Sequence, residues 1–406
     1  MSPEKKRIVW VSFLILDADL HKISRLEILR SLAKKGHITE LAAVYSRNKV
    51  MLQSENFPAS VIAIPLRYVP VISSILFSVI LLFLLPFYII VYKPDFVITE
   101  PDLQVISFIP AIPIFRLKKI KLILDIRSTP VETYGIRGWL KSFFFNVSVL
   151  LAKTFFDGMT IITPYMKDEV CKRFNLNPEF VGVWSSGVSL ELFNPSKYIF
   201  EGEKLRRKFK LSNRFVIFYH GALSKKRGLV ETLEALTFLK SQYPNIVLFL
   251  IGAGSITKTL RELIKVKGLQ NNVIIHEPVK YIDVPKYIAM SDVCIVPLLN
   301  HPYWRFQCPL NLLEYLAMEK VVILTDIPAN NHIVGKKQCG IYISEATPIE
   351  IAKGIEYAYH NKSKLSIWGK TGRSIIEKYY SWDIVASHLE KYLLQSKYHQ
   401  NISYKS

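Results

Sequence analysis

The sequence holds only four cysteines in 406 residues, Cys171, Cys294, Cys308 and Cys339. They form no CxxC pair and join no Cys/His cluster at zinc spacing. That excludes a disulfide framework and a structural zinc site, and it predicts reduced thiols in a cytosolic compartment. No GxGxxG follows the first strand, so a dinucleotide is not indicated, and no GxxxxGK[ST] run supplies a Walker A loop. No DxD stands at a strand end where a divalent cation would sit on a ligand's phosphates; Asp17-Ala18-Asp19 lies in the first half, away from such a site. No metal and no cofactor are therefore expected. Zinc fingers, RNP-like aromatic strands and basic zippers are also missing, so nucleic acid is not expected as a partner.

Acidic residues are few. Asp and Glu number 33 against 53 Lys and Arg, a net charge of +20. Such a balance suits nucleic acid, an anionic membrane surface or phosphorylated small molecules, and the first has no motif behind it. The N-terminal MSPEKKRIVWVSFLIL imitates a signal peptide, but LDADLHK follows in place of a small-residue cleavage site, so a first buried strand is the better reading. From Tyr68 to Tyr92 the chain carries no charge, between Arg67 and Lys93. That length would span a bilayer. Pro70 and Pro86 interrupt it, and three placements stay open: embedding in one leaflet, a buried core helix, or a true span, which would put the two halves of one fold on opposite sides of the membrane.

Strand and helix patterns alternate along the chain. Arg7–Leu16, a helix ending at Gly36 and His37–Val44 form an opening β-α-β unit. Phe96–Thr99 and Lys121–Ile126 read as parallel strands apolar on both faces, with a short helix over Ser107–Phe115 between them. A long aromatic helix covers Gly138–Phe156. After the turn at Asn194-Pro195, strands at Phe215–Tyr219, Ile246–Gly252, Val273–His276, Val293–Pro297 and Val321–Thr325 alternate with helices, and Trp382–Leu394 closes the chain as an amphipathic helix. This alternation predicts an α/β protein with two Rossmann-like, doubly wound parallel-sheet domains of about 190 residues each. Their expected limits are 1–195 and 196–380, with 381–406 a C-terminal helix packing back on the first domain.

Three loops sit where such folds bind ligands. Asp125 to Glu132 follows a buried parallel strand, at the carboxyl edge of its sheet; Arg127 and Glu132 are either ligand-facing or an internal pair in a solvated loop. The loop Gly221–Gly228, with Lys225, Lys226 and Arg227 ahead of a helix, either seats a diphosphate or is a solvated basic turn. Arg305–Ile327 passes from loop to helix to strand and sets Glu314 on the helix. A carboxylate there accepts two hydroxyl hydrogens at once, which suits ribose; the alternative is an ordinary amphipathic helix.

Read in order, WSSGVSLELFNP, YHGALSKKRGLVETLEAL, LFLIGAG, VIIHEPVKYIDVPKYIAMSDVCIVPL, PLNLLEYLAMEKVVILTDIP and YYSWDIVASHLEKYL resemble the donor half of GT-B glycosyltransferases, specifically retaining family 4 (group 1). YKPDFVITEPD and LILDIRSTPVE extend the resemblance faintly to the first half. The resemblance implies two domains facing a cleft. It implies a nucleotide-diphosphate sugar held by Gly221, Lys226, Arg227, Asn311, Leu312 and Glu314, and Arg127 and Glu132 as catalytic residues that orient the acceptor. Glu314 matches the second glutamate of the family's E-x7-E motif, and Arg227 the basic residue on the diphosphate. The first glutamate falls at Phe306, the arginine after the glycine at Ala222, the lysine of the P-x-K-L-x-E variant at Asn311, the glutamate after the late I-P-G turn at His332, and the acceptor-domain histidine at Arg127. The implied activity is retaining transfer of a sugar to a lipid-linked or polysaccharide acceptor on the inner face of the cell membrane. A catalytically inactive subunit that scaffolds a partner enzyme is the alternative.

Overall fold

A computed structural model of the chain describes residues 4–16, 22–45, 60–69, 71–130, 135–335 and 337–395. It divides into two compact units, residues 1–186 with 382–406, and residues 187–381.

The first unit is built on seven strands: β1 (Arg7–Ile15), β2 (Ile38–Tyr45), β3 (Ser60–Pro65), β4 (Phe96–Thr99), β5 (Lys121–Ile126), β6 (Gly158–Ile161) and β7 (Val181–Val183). Their order is β3-β2-β1-β4-β5-β6-β7, and every pairing is parallel. The central strands are apolar runs with no exposed side, as a sheet covered on both faces requires. The chain winds outward from β1 to β3, then returns to place β4 on the other side of β1. The carboxyl ends of β1 and β4 therefore flank the point where the winding reverses, which is where open α/β sheets leave a crevice.

The second unit repeats the plan with β8 (Phe215–His220), β9 (Ile246–Ile251), β10 (Val273–His276), β11 (Val293–Val296), β12 (Val322–Thr325) and β13 (Gly340–Ile343) in the order β10-β9-β8-β11-β12-β13, again all parallel. Its reversal lies between β8 and β11, so the loops leaving those strands share one crevice.

Two parallel-sheet α/β domains are what the alternation predicts. The sequence patterns miss other elements. β3 is an edge strand with only Ile64 buried, so it shows no apolar run. The helix expected over Ser107–Phe115 is a 3-10 turn at Leu103–Ala111 followed by a short helix at Ile112–Leu117. Pro110 and Pro113 lack the N–H groups a continuous helix would use. The polar stretch after Pro195 contains a helix, Ile199–Lys208, whose Arg206 reaches the Arg214 carbonyl at 2.6 Å and Asp292 at 3.1 Å. The division between units falls ahead of Asn194-Pro195. Val188 donates to the Tyr380 carbonyl at 2.9 Å, and Arg373 to the Phe193 carbonyl at 2.6 Å, tying 188–193 to the second unit.

The last described helix, Trp382–Leu393, belongs to the first unit. Glu390 accepts from Lys35 at 2.7 Å and pairs with His37 at 2.9 Å. The Tyr392 hydroxyl accepts from the Met159 N–H and donates to the Phe180 carbonyl, so the helix is stitched to β6 and the turn before β7. Gly182 makes room: a Cβ there would stand 2.4 Å from the Tyr392 ring.

The uncharged stretch forms one helix, Ile72–Tyr92. Ser73, Phe77, Leu81, Leu85 and Ile89 recur every fourth residue and form its buried ridge. Phe77 packs on Phe13 of β1, Tyr88 hydrogen-bonds Glu40 of β2, and Arg7 donates to the Tyr92 carbonyl. The helix thus lies lengthwise along the sheet.

Candidate functional site

In the second unit the candidate site grows from the end of β8. His220 is the last residue of that strand, and the chain must turn at once to reach the helix Leu229–Leu239. Gly221 takes φ 136°, a conformation that favours glycine. Its N–H goes to the Ile251 carbonyl of β9. Gly228 closes the turn at φ 69°, and a Cβ there would stand 1.8 Å from the Pro297 carbonyl oxygen at the end of β11. The turn is therefore pressed against the other strand of the reversal point.

Two of the three basic residues in this turn are held. Lys226 contacts His301 Nε2 through its ammonium at 3.2 Å. Burial, and then the Lys226 charge, push the His301 pKa down, which keeps the ring neutral beside the ammonium. Arg227 lies over the Trp304 ring, 4.6 Å from its centre. It also stands beside the Tyr219 phenol, whose pKa is raised by burial and pulled back by the Arg227 charge. Lys225 is exposed.

Glu314 reaches the same point from the other side. The helix Leu310–Ala317 is buried along most of its length because it packs over the sheet. Its start carries no side-chain cap; Asn311 instead folds its Oδ1 onto the Leu312 N–H at 3.0 Å and aims its Nδ2 at the His220 carbonyl. Glu314 is 3% exposed and Tyr315 0%. The Tyr315 hydroxyl accepts the backbone N–H of His220 at 2.8 Å and shares a hydrogen bond with His220 Nδ1 at 3.0 Å. Because a carboxylate only accepts, Nε2–H donates to Glu314 Oε2 at 2.7 Å. Tyr315, His220 and Glu314 form one hydrogen-bonded chain in which the imidazole fixes the rotamer of a carboxylate.

The structure thus brings Gly221, Lys226, Arg227, Asn311 and Glu314 to one sheet edge. Leu312 is different. Its side chain is fully buried in the core and its N–H is already used by Asn311, so neither points at a ligand. Patterns in the sequence pass over His220, Tyr315 and Trp304. His220 follows a run of aromatic and aliphatic strand residues and carries no local signal beyond its place at the strand end. Among the described residues no group of three or more metal-ligating side chains occurs.

The first unit has a second polar cluster, at the carboxyl ends of β4 and β5. Arg25 grips Glu100 through two bonds, 2.8 and 2.6 Å, and Trp10 donates to the same carboxylate at 3.0 Å. Burial pushes the Glu100 pKa up, but Arg25 outweighs it, and the group stays below the usual carboxylate range. Asp125 is fully buried. Its Oδ1 accepts from Thr160 at 2.6 Å and Trp184 at 2.8 Å, while Oδ2 has no hydrogen-bond partner. Burial raises its pKa to about 6 against the opposing charge of Arg127. Arg127 itself lies on the Trp184 ring at 3.8 Å and donates to the Trp184 carbonyl and the Ser186 hydroxyl. Arg127 is thus embedded in this cluster. Glu132, its expected companion, lies outside the described residues.

The family described as glycosyl transferases group 1 matches residues 201–375, the span that holds every candidate residue of the second unit. An uncharacterized glycosyltransferase of Methanocaldococcus jannaschii is 26% identical over 253 residues, 58% of this chain and 56% of that protein. A capsular polysaccharide biosynthesis glycosyltransferase of Staphylococcus aureus is 25% identical over 281 residues, 65% of this chain and 70% of its own length. The chain spans about half the length of the first curated relatives it matches, between 47% and 62%. The crystal structure of Anabaena HepE in complex with UDP and glucose superposes with a TM-score of 0.73 at 14% identity, covering 96% of this chain and 99% of that one. Both sheets therefore take the GT-B fold, and residues 201–375 match the group 1 glycosyl transferase family.

Proposed function

We propose that the protein transfers a sugar from a nucleotide-diphosphate donor to a lipid-linked or polysaccharide acceptor, with retention at the anomeric carbon, on the inner face of a cell membrane. One observation carries the reading. A fixed carboxylate and two cations share the edge where the winding of the second sheet reverses. Glu314, its Oε2 held by His220, offers Oε1 to ribose hydroxyls. Lys226 and Arg227 offer positive charge to the diphosphate, whose own charge grows as the glycosidic bond breaks. Donors and charges already fixed by Trp304 and His301 need no reorganisation at that moment. The UDP and glucose named with the Anabaena structure support a donor of this class. The capsular polysaccharide role named for the Staphylococcus relative supports a glycan acceptor. The first unit is read as the acceptor side, with Arg127 and the neighbouring Asp125 at the edge of its sheet. The exposed apolar helix Ile72–Tyr92 supports a membrane location, and the buried free thiols of Cys171, Cys294 and Cys339 support the reducing side.

A second reading has its own observation. Phe306, Ala222 and Asn311 stand where related enzymes carry charge, which fits a subunit that has kept the fold and lost transfer. Titration calorimetry with UDP- and GDP-sugars, followed by turnover assays with wild type, Glu314→Ala and Arg227→Ala, separates the two. Binding with turnover supports transfer. Binding without any turnover or donor hydrolysis supports the scaffold, and absence of nucleotide binding removes the enzyme reading.

A further inference from the structure

One face of the first sheet is covered by three elements in sequence: the helix Ile72–Tyr92, the 3-10 turn Leu103–Ala111 with its continuation Ile112–Leu117, and the helix Gly135–Phe155. Each packs on the next. All follow crossovers running in the same direction across the sheet, and right-handed crossovers put such elements on one side. Their inward faces fill the core. Their outward faces are apolar as well: Phe83 is 72% exposed, Phe87 66%, Leu117 79%, Ile136 80% and Trp139 59%. This is a continuous apolar layer where a soluble protein would place charge, and patches of that extent mark interaction surfaces.

Its charge chooses the partner. Residues 67–93, 103–122 and 135–155 contain no Asp or Glu, while Arg67, Lys93, Arg116, Lys118 and Lys119 lie in or beside the layer. A second copy of this chain would set like charge against like. An anionic lipid surface complements the basic rim and accepts the apolar centre. Between Ile112–Leu117 and the end of Gly135–Phe155 lies a cavity of about 530 Å³, with Phe115, Phe155 and Thr154 on its walls. Arg116, Lys119 and Lys121 also line it, and Asp157 neutralises only Lys121, at 3.3 Å. Its size and surplus cations suit a lipid phosphate at the border of the layer.

We propose that this three-element face is seated in one leaflet of an anionic phospholipid bilayer, with the Ile72–Tyr92 helix lying flat and a headgroup phosphate held by Arg116 and Lys119. The flat placement follows from the ridge of Phe77, Leu81, Leu85 and Ile89, which a spanning helix would have to strip from the sheet. The inference rests on the membrane part of the proposed function and is independent of the transfer chemistry.

The test is co-sedimentation of the full chain with vesicles of phosphatidylcholine alone or mixed with phosphatidylglycerol, with UDP and GDP calorimetry on the same samples. The mixed vesicles are expected to bind about tenfold more tightly or better, with an alkaline wash releasing the protein. The double variant Phe83→Asp, Phe87→Asp, altered only at exposed positions, is expected to lose vesicle binding and keep nucleotide binding. Arg116→Glu with Lys119→Glu is expected to lose the preference for phosphatidylglycerol. Brominated lipid is expected to quench a fluorescence component that Trp139→Phe removes. Equal partition into both vesicle types, binding unaffected by Phe83→Asp with Phe87→Asp, or no quenching at Trp139 overturns the proposal, and resistance to the alkaline wash overturns the flat placement. Loss of nucleotide binding with intact vesicle binding would sink the donor site alone.

Discussion

Replacing Glu314 by Gln tests the hydrogen-bonded chain at the centre of the candidate donor site. The change is close to isosteric. The Gln carbonyl oxygen can still accept from His220 Nε2, so the rotamer and the 2.7 Å contact are kept. What is lost is the charge on the atom that meets ribose. Hydrogen bonds to a charged group contribute about 1.5–3 kcal/mol and neutral ones about 1 kcal/mol. The expected loss is about 1.4 kcal/mol, about tenfold in Kd for UDP or GDP. The loss should vanish with the matching 2′,3′-dideoxynucleotide, which has no hydroxyls for Glu314 to accept. His220→Phe acts differently, because it leaves the carboxylate 3% exposed with no donor on Oε2. That should cost about 3 kcal/mol in stability, read as a lower Tm, and should weaken discrimination between ribo- and dideoxynucleotides. Calorimetry with both ligands and both variants decides the matter. If Glu314→Gln binds UDP and GDP like wild type, or weakens ribo- and dideoxynucleotides equally, Glu314 does not hold ribose.

Arg227→Ala removes the guanidinium stacked on Trp304 and should weaken nucleoside diphosphates about tenfold or more while leaving the free nucleosides unchanged, as calorimetry would show. Gly228→Ala drives a Cβ to within 1.8 Å of the Pro297 carbonyl at a left-handed φ, and a loss of about 3 kcal/mol or more is expected in urea unfolding. Asp125 binds its proton more tightly folded than unfolded, with a pKa of about 6 against 3.8. Its contribution to stability is therefore fully present below pH 3.8 and is lost as pH rises through about 6, a change of about 3 kcal/mol. In Asp125→Asn the oxygen that accepts from Thr160 and Trp184 remains, so the slope of Tm against pH between 3.8 and about 6 should flatten relative to wild type.

The alternation of apolar runs and amphipathic stretches determined both parallel sheets, because strands buried on two faces are mostly apolar and so announce themselves. It also marked Glu314 and the basic turn before Leu229 as candidates, since loops at the carboxyl edge of such sheets follow from chain order. The family resemblance added roles to those positions. Elements without an apolar signature stayed hidden. β3 pairs only at an edge, and the prolines near residue 110 broke a helix that hydrophobicity alone would continue.

Tertiary structure decided the rest. Arg227 and Trp304 are far apart in the chain, as are His220 and Tyr315, and only the reversal of winding between β8 and β11 brings them together. Leu312, one residue from a candidate ligand group, faces the core because helical rotation turns it there. The length and apolarity of Tyr68–Tyr92 allowed a core helix, a span or a surface helix. A ridge recurring every fourth residue against the sheet places the described helix lengthwise on the surface of its unit. A linear sequence records which residues are apolar; which of their faces is left without a partner depends on what the fold has already packed against the other.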